Sequence, residues 1–414
     1  MPVEYQRIVE DIEKINSFNA TPGKGITRIT FSEEYQAARA WLSAEMEDLG
    51  MAVRTDGFGN LFGRLEGRQS SLPTIMAGSH LDTVANGGRF DGVVGVVAAL
   101  ETARCLVDEG RTLLHPYTVV VFAEEEGYRF GQVMAGSMAF AGMLSADELY
   151  SLRDRNSVSY AQAMDAAGLC RSGERLFAPA DVKCMLEAHI EQGGVLESKG
   201  FALGVVEAIA GIHQFVVLLQ GQSNHAGPTP MSMRADALCA AAEIITAVEK
   251  AGQTAGSDKT VCTVGRIVCK PNVSNIIPGS CEVVVDIRDP DSAVLGAMVD
   301  HVVKSCLAVA NRRGVGIEIA PKTPVEPVQL SGRIGTMMAG AATKYGIPHM
   351  RMTSGALHDA SVLAGSTETA MLFVPSRGGR SHVPEEYTSY EEIFQGVKVF
   401  ADVIAALAQI HQST

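Results

Sequence analysis

Apolar runs of strand length alternate with longer runs of helix length through the first part of the chain. Residues 72–77, 117–123 and 182–189 each predict a buried strand, and residues 93–106 form an Ala- and Val-rich run of helical length. Strands that alternate with helices predict an α/β fold, with a mainly parallel sheet and helices on both faces. In such folds the binding site lies at the carboxyl ends of the strands. We therefore expect the chemistry of this protein at its strand ends.

The pattern changes near residue 208. The strand-like runs that follow lie at 214–220, 260–268, 281–288 and 315–319, and the two long helical runs lie at 236–251 and 293–312. Two helices on a small sheet predict a self-contained α+β insertion. A helix over 331–345 and a strand over 369–375 then resume the first pattern. The predicted domains are therefore 1–208 and 325–414 as two parts of one catalytic domain, and 209–324 as an inserted domain.

Composition excludes several classes of function. The 414 residues carry a net charge of -13 and show no block of Lys and Arg, which argues against a nucleic-acid partner. The first thirty residues carry acids throughout and no apolar core of signal-peptide length, and no run reaches the length of a membrane span, so we expect no membrane association. The 8 cysteines are scattered without a close metal-type pair. Free thiols in a reducing cytoplasm are the natural interpretation.

The first candidate for chemistry is the loop between the strand 72–77 and the helix 93–106. His80 lies at the strand end and Asp91 opens the helix, a geometry that can bring both side chains to one divalent metal. Asp82 points the same way along an extended chain and could hold the His80 ring. Taken alone, this pattern equally fits a strand-end histidine that is hydrogen-bonded to a nearby carboxylate.

More side chains of the same kind follow other predicted strands. Glu125 and Glu126 follow the strand 117–123, His189 ends the strand 182–189, and His382 lies in a Gly-rich loop. The candidate ligands are three histidines, His80, His189 and His382, and two carboxylates, Asp91 and Glu126. They would form one mononuclear site with spare ligands, or two sites that share a carboxylate. This mixture suits zinc, manganese, cobalt or nickel. Glu125 is the candidate general base, whereas a solvated acidic turn at 124–126 is disfavoured by the buried strand before it.

These residues occur in motifs that resemble a known family. The motifs are Ser79-His-Leu-Asp-Thr-Val84, Gly87-Gly-Arg-Phe-Asp-Gly92, Glu124-Glu-Glu-Gly-Tyr-Arg-Phe130, His189-Ile-Glu-Gln-Gly193, Asn224-His-Ala-Gly-Pro-Thr-Pro-Met231 and Ser381-His-Val-Pro-Glu385. Their order resembles the N-carbamoyl-L-amino-acid hydrolase and allantoate amidohydrolase branch of the dinuclear metallopeptidase/aminoacylase superfamily. The resemblance extends from Thr27 to Ser389.

The resemblance implies a site with two divalent metal ions, zinc being the leading candidate. The implied metal ligands are His80 and His189 for one ion, Glu126 and His382 for the other, and Asp91 as the bridge. Glu125 is implied as the catalytic base, and Asp82 as the partner of His80. The inserted domain is implied to be a mobile lid through which two chains form a homodimer.

The resemblance also implies substrate contacts. The implied residues are Gln192, His225, Asn275, Arg288, Gly355, Ala356 and His358, with His225 supplied across the dimer to stabilise the oxyanion and Arg288 taking the substrate carboxylate. Each has a simpler alternative. Arg288 could form a surface ion pair, Asn275 could shape a turn, and His225 could be a loop histidine bonded to backbone. His213 has no placed role.

The function predicted from this resemblance is that of a cytoplasmic amidohydrolase. It would cleave the ureido C–N bond of an N-carbamoyl-L-amino acid and give the amino acid, ammonia and carbon dioxide. Allantoate amidohydrolase is the nearest alternative, and hydrolysis of N-acyl amino acids or dipeptides is a more distant one. From another class, a metal-free scaffold would have no reason to keep five ligands and a base together.

Overall fold

The computed structural model describes residues 1–111, 113–322 and 324–408. Its α-helices in chain order are α1 (Tyr5–Ser17), α2 (Glu33–Asp48), α3 (Val93–Asp108), α4 (Ala135–Ala141), α5 (Ala146–Ser151), α6 (Tyr160–Ala166), α7 (Val195–Lys199), α8 (Ala237–Gln253), α9 (Ser292–Arg313), α10 (Gly332–Lys344), α11 (Asp359–Leu363) and α12 (Tyr390–Leu407). Single 3-10 turns lie at Pro179–Asp181, Met231–Met233 and Arg377–Gly379.

The strands are named in the same way. They are β1 (Ala52–Thr55), β2 (Leu61–Leu65), β3 (Thr74–His80), β4 (Tyr117–Phe122), β5 (Val182–Ile190), β6 (Leu203–Ile209), β7 (Gly211–Gln220), β8 (Asn224–His225), β9 (Val261–Lys270), β10 (Ile276–Ile277), β11 (Ser280–Asp289), β12 (Gly316–Pro321), β13 (Val328–Gln329), β14 (His349–Ser354) and β15 (Glu368–Val374).

The chain divides into two compact units. The first consists of Met1–Glu207, Leu330–Met352 and the described residues from Ala356 onward, and the second of Ala208–Gln329 with Thr353–Gly355. The insertion predicted from the sequence had its borders at 209 and 324.

The main sheet has the strand order β1-β2-β4-β3-β5-β15-β6-β13, and β14 also pairs with β6. Its centre is parallel, because β3 pairs in parallel with both β4 and β5, and β15 pairs in parallel with β5. The β1–β2, β2–β4 and β15–β6 pairs are antiparallel. The four central strands therefore end at the same edge of the sheet.

Side chains on β3 alternate between two hydrophobic cores. Ile75 and Ala77 belong to the large core with the buried faces of α1, α3 and α12, whereas Met76 belongs to a smaller core with residues of α4 and α11. All seven residues of β3 are buried. A strand buried on both faces needs continuous apolar character, which explains the unbroken pattern seen in the sequence. The predicted α/β fold class, with helices on both faces of a mainly parallel sheet, is confirmed.

The second unit has a four-stranded antiparallel sheet of order β12-β7-β11-β9. Alternate residues of its strands, such as Val217, Val283 and Val285, share a core with Ile244 of α8 and Val302 of α9. This period of two is expected of a sheet that packs on one face only.

Helix α9 also bears on membrane association. Among the described residues it is the helix that is long and apolar enough to cross a bilayer, by length and composition alone. Its residues Leu295, Val299 and Val302 are buried in the core of the second unit. A core helix of a globular unit passes the same test, so α9 is weak evidence for a membrane span.

The contact between α3 and the main sheet generates a prediction about stability. A Cβ added at Gly95 of α3 would overlap the Ala188 carbonyl oxygen and the Ser79 Cβ, whereas Gly340 of α10 has open space around it. We expect Gly95→Ala to lower the free energy of unfolding by about 1–3 kcal/mol through overpacking. Gly340→Ala should raise it by up to about 1 kcal/mol through helix propensity. Urea unfolding measures both, and a Gly95→Ala protein as stable as the unsubstituted one would contradict this packing.

Candidate metal centre

The carboxyl ends of four neighbouring parallel strands bring together the polar side chains singled out in the sequence. His80 ends β3, Glu125 and Glu126 follow β4, His189 lies near the end of β5, and His382 lies in the loop after β15. Asp91 lies in the loop that leads from β3 into α3. Because the strands are adjacent and parallel, these side chains meet at one edge of the sheet.

Asp91 is the centre of the arrangement. Its Oδ1 lies 3.4 Å from Nε2 of His80 and 3.2 Å from Nε2 of His189. Its Oδ2 lies 3.3 Å from Nε2 of His382, and that same nitrogen lies 3.3 Å from Oε2 of Glu126. Two groups, His80–Asp91–His189 and Asp91–Glu126–His382, each have potential ligand atoms within 4.8 Å of one another. The two groups share Asp91, and each could hold a metal ion.

The backbone orients two of the imidazole rings. Nδ1 of His80 lies 3.0 Å from the carbonyl oxygen of Asp82, and Nδ1 of His189 lies 2.9 Å from the carbonyl oxygen of Ile190. A proton on each Nδ1 leaves the lone pair on Nε2, which faces Asp91. The backbone N–H of Gly92 also lies 3.3 Å from Nε2 of His189. Each Nε2 atom could therefore serve as a metal ligand once it carries no proton.

The Asp82 carboxylate makes other contacts than the expected one with the His80 ring. Its carboxylate lies 3.9 Å from Nδ1 of His80, and its carbonyl oxygen is the closer partner of that ring. The carboxylate accepts hydrogen bonds from the backbone N–H groups of Glu125, at 3.3 Å, and Glu126, at 3.1 Å. Asp82 therefore holds His80 through its backbone and the Glu125–Glu126 turn through its side chain.

Glu125 is buried beside the histidines. Its Oε2 lies 3.6 Å from Nε2 of His80. Burial raises the pKa of the Glu125 carboxyl well above its ordinary value. The His80 charge lowers this pKa, whereas the carboxylates of Asp359 and Glu126 raise it further. A raised pKa favours proton uptake by Glu125, as a general base requires.

Glu124, the first residue of the Glu triplet, is structural. It is buried and has a φ of 57°, and its Oε1 accepts hydrogen bonds from the N–H groups of Arg129, at 3.0 Å, and Phe130, at 2.7 Å. The left-handed backbone at Glu124 turns the chain directly after β4. This geometry contradicts the alternative of a solvated acidic turn.

Gln192 contacts the candidate metal ligands directly. Its Nε2 lies 2.7 Å from Oδ2 of Asp91 and 3.4 Å from Nε2 of His382. Its φ is 58°, so the backbone is left-handed immediately after β5. The amide therefore lies where the Asp91–Glu126–His382 group would hold a cation.

His358 packs beside His189, one of the candidate metal ligands. It is 2% exposed, and its ring centroid is 4.5 Å from that of His189 and 5.5 Å from that of Phe373. Burial lowers the pKa of His358 well below its ordinary value, and the neighbouring His189 lowers it further. Glu187, His189 and His358 form a third group whose ligand atoms lie close together. His358 therefore packs against a candidate ligand as a neutral ring.

In the second unit, His225 and Asn275 are neighbours. His225 in β8 pairs with Ile276 in β10, and the N–H of Ala226 donates to the Asn275 carbonyl oxygen at 2.9 Å. His225 is exposed, and its Nδ1 accepts the Gly227 N–H at 3.1 Å.

Arg288 is held by two acceptors within the second unit. Its Nε and Nη2 lie 2.8 and 3.2 Å from the two carboxylate oxygens of Asp286, and its Nη1 lies 2.8 Å from the carbonyl oxygen of Gly355. Ala356 begins the segment that leads to His358. The guanidinium is thus fixed in one orientation rather than mobile on the surface. His213 is half-buried and lies opposite Ile287 in the β7–β11 register.

Sequence reasoning missed two polar residues at the centre. Ser381 Oγ lies 2.9 Å from Oδ2 of Asp91, and Glu386 accepts the N–H groups of Phe90 and Asp91. The sequence motif ended at Glu385, which is exposed, whereas the adjacent Glu386 is buried. The one available signal was the doubled glutamate after Pro384.

A parallel sheet that gathers imidazoles and carboxylates around a shared aspartate, with a buried glutamate beside them, defines the class of metal-dependent hydrolases. Comparison with known protein families agrees with this class. Residues 76–406 match the model for peptidase family M20/M25/M40, and the chain belongs to this family. Divalent metal binding, with dinuclear metal dependence, is typical of its enzymes.

Three similar proteins refine the class. An N-carbamoyl-L-amino-acid amidohydrolase of Paenarthrobacter aurescens is 40% identical over 98% of both chains. An allantoate amidohydrolase of Escherichia coli is 36% identical over 97% of this chain and 98% of its own. The crystal structure of an amidase of the hydantoinase/carbamoylase family from Burkholderia multivorans aligns with a TM-score of 0.92 at 32% identity, covering 98% of both chains. The protein is an amidohydrolase of this carbamoylase and allantoate amidohydrolase group, acting on C–N bonds of small molecules.

The charge state of His382 generates a prediction about metal binding. Its hydrogen bond to Asp91 raises the pKa of His382 to about 9, with a further contribution from the Glu126 charge. Near neutral pH the imidazole therefore carries a proton that it must lose before Nε2 can bind a cation. We expect apparent zinc affinity at this position to rise about tenfold per pH unit below about pH 9.

Calorimetric zinc titrations in buffers of different ionisation enthalpy count the released protons. His382→Ala should release one proton fewer than the unsubstituted protein. The matched control His301→Ala, which removes an exposed histidine of α9, should leave the count unchanged. Affinity that is independent of pH over this range would contradict the assigned charge state.

Proposed function

We propose that the protein hydrolyses the ureido C–N bond of N-carbamoyl-L-amino acids, giving the L-amino acid, ammonia and carbon dioxide. The observation that carries this proposal is the buried Glu125 carboxyl beside two candidate cation positions that share Asp91. The similarity to an N-carbamoyl-L-amino-acid amidohydrolase along the whole chain supports the choice of bond.

The proposed metal ligands follow the two groups around Asp91. His80 and His189 would hold one ion, Glu126 and His382 the other, and Asp91 would contribute one carboxylate oxygen to each. Imidazole nitrogen and carboxylate oxygen suit zinc first, and manganese, cobalt or nickel as alternatives. When bound, the ions supply Lewis-acid polarisation of the ureido carbonyl and a lowered pKa for attacking water.

Glu125 would move the protons of the reaction. It accepts a proton from the water that attacks the ureido carbon and passes it to the leaving nitrogen, so that an amine departs and not an anion. Its backbone N–H is held by the Asp82 carboxylate, which limits movement of the base. Asp82 therefore serves as a positioning residue for Glu125 as well as for His80.

The remaining residues would bind the substrate. Arg288 is a suitable partner for the α-carboxylate, because Asp286 and Gly355 already hold its guanidinium in one orientation. The other proposed substrate-binding residues are Gln192, His225, Asn275, Gly355, Ala356 and His358. The ring of His358 lies against that of His189.

Allantoate is the second candidate substrate. The similarity to an allantoate amidohydrolase is nearly as high and covers as much of the chain. Allantoate also carries a carboxylate beside its ureido groups, so the same Arg288 contact would serve it. We further propose a cytoplasmic homodimer that forms through the second unit, with zinc as the resident metal.

An ammonia-release assay on zinc-loaded protein tests the substrate assignment. The panel consists of N-carbamoyl-L-amino acids with different side chains, their D-enantiomers, their carboxamides and allantoate. We expect the L-acids to be cleaved fastest, and their carboxamides to lose roughly tenfold or more in kcat/KM with the charge-assisted contact. Faster cleavage of allantoate than of any N-carbamoyl amino acid would favour the second candidate, and no release from any compound would refute the function.

Subunit mixing tests the proposed roles of Glu125 and His225 together. Glu125→Gln removes the base, and His225→Ala removes a proposed donor to the oxyanion, a loss that typically costs about 100–1000-fold in kcat. If His225 serves the neighbouring chain, a mixed dimer regains one site with both residues, so partial activity should return. Verified exchange without any return of activity would show that His225 does not act across the dimer.

A further inference from the structure

We propose that Glu386 is a positioning residue that fixes the Asp91 carboxylate for the Glu126–His382 cation position. The inference rests on the proposed two-metal site and adds a residue that supports it from behind. Glu386 touches neither substrate nor either proposed ion. It acts through Asp91 and Ser381.

The first line of support is the backbone of Asp91. Glu386 is 2% exposed, and its Oε1 accepts hydrogen bonds from the N–H groups of Phe90, at 2.9 Å, and Asp91, at 3.1 Å. A buried carboxylate is costly unless such donors satisfy it. These two bonds fix the peptide planes from which the Asp91 side chain projects.

The second line of support is the side chain of Asp91. Ser381 Oγ lies 2.8 Å from Oε2 of Glu386 and 2.9 Å from Oδ2 of Asp91. A hydroxyl has one proton and can donate to only one of these carboxylates at a time. Once a cation neutralises the charge of Oδ2, the Ser381 hydroxyl can donate its proton to Glu386. The hydroxyl oxygen still limits where Oδ2 can move.

The third line of support is the space reserved for this carboxylate. A Cβ added at Gly88 would fall on the carboxyl group of Glu386. Gly88 is the second glycine of the pair that precedes Asp91, so the loop approaches Glu386 as closely as a backbone can. A glycine is therefore needed at position 88, because a side chain there would overlap the Glu386 carboxyl group.

The placement predicts which cation position depends on Glu386. Ser381, His382 and Glu386 lie in one loop, so the same segment supplies a proposed ligand and both supports of Asp91. Ser381 contacts Oδ2, which lies beside His382, while Oδ1 lies beside His80 and His189. Loss of Glu386 should therefore weaken the Glu126–His382 position more than the His80–His189 position.

The test is a zinc titration of metal-free protein by calorimetry, with bound metal counted by elemental mass spectrometry. We expect Glu386→Ala to bind its first zinc normally and its second about 10–100-fold more weakly, as loss of a ligand-supporting group does elsewhere. Glu386→Gln should be intermediate, because its amide oxygen can still accept the N–H bonds. The matched control Glu385→Ala alters the exposed neighbour and should bind both ions normally.

The outcomes separate this inference from the proposed function. Fewer than two zinc ions on the unsubstituted protein would refute the two-metal site itself. Two ions on the unsubstituted protein and unchanged second-zinc affinity in Glu386→Ala would overturn the role of Glu386. If circular dichroism shows that Glu386→Ala does not fold, Glu386→Gln decides, because it keeps an acceptor for the two backbone N–H groups and changes only the charged group that Ser381 contacts. A weaker second zinc there supports the inference, and an unchanged one overturns it.

Discussion

The buried charge of Asp91 is the constraint on which the site depends. Its carboxylate is 4% exposed and lies within 3.4 Å of an Nε2 atom from each of three histidines. Burial alone would raise its pKa, yet the charges and hydrogen bonds of the histidines lower the pKa of Asp91 well below its ordinary value. A buried carboxylate without compensation would destabilise the fold strongly. Protons on the imidazoles or bound cations must therefore balance Asp91, and exchange of one for the other is how metal binding becomes linked to pH.

The strand order of the main sheet brings the histidines that compensate the Asp91 charge close to it. The histidines come from β3, from β5 and from the loop after β15, and the glutamates follow β4. These four strands are adjacent and parallel, so residues far apart in sequence meet at one edge of the sheet. Close packing at Gly95 and at Gly88 then brings α3 and the Asp91 loop against the sheet and against Glu386.

Much of this could be predicted from the sequence because the signals are local. Buried strands leave continuous apolar runs, and His80, Glu126 and His189 follow such runs directly. These three candidate ligands could therefore be identified by residue type and position. The class of fold followed from the alternation of strands and helices.

Other features of the site could not be predicted from the sequence, because they depend on which backbone atoms a side chain contacts and on how the chain turns. The carbonyl oxygen of Asp82, rather than its carboxylate, is the nearer partner of His80, and nothing in residue type distinguishes the two. Glu385 and Glu386 look alike in the sequence, and only the turn after Pro384 decides which one is buried. The contact between the rings of His358 and His189 is likewise set by tertiary packing of the segment that precedes α11.

The central claim is that one aspartate joins two cation positions. Anomalous diffraction from a crystal of zinc-loaded protein tests it most directly. The account predicts two peaks about 3.5–4 Å apart, with one Asp91 oxygen on each, the first beside His80 and His189 and the second beside Glu126 and His382. A single peak, or two peaks of which one lacks Asp91, would contradict it.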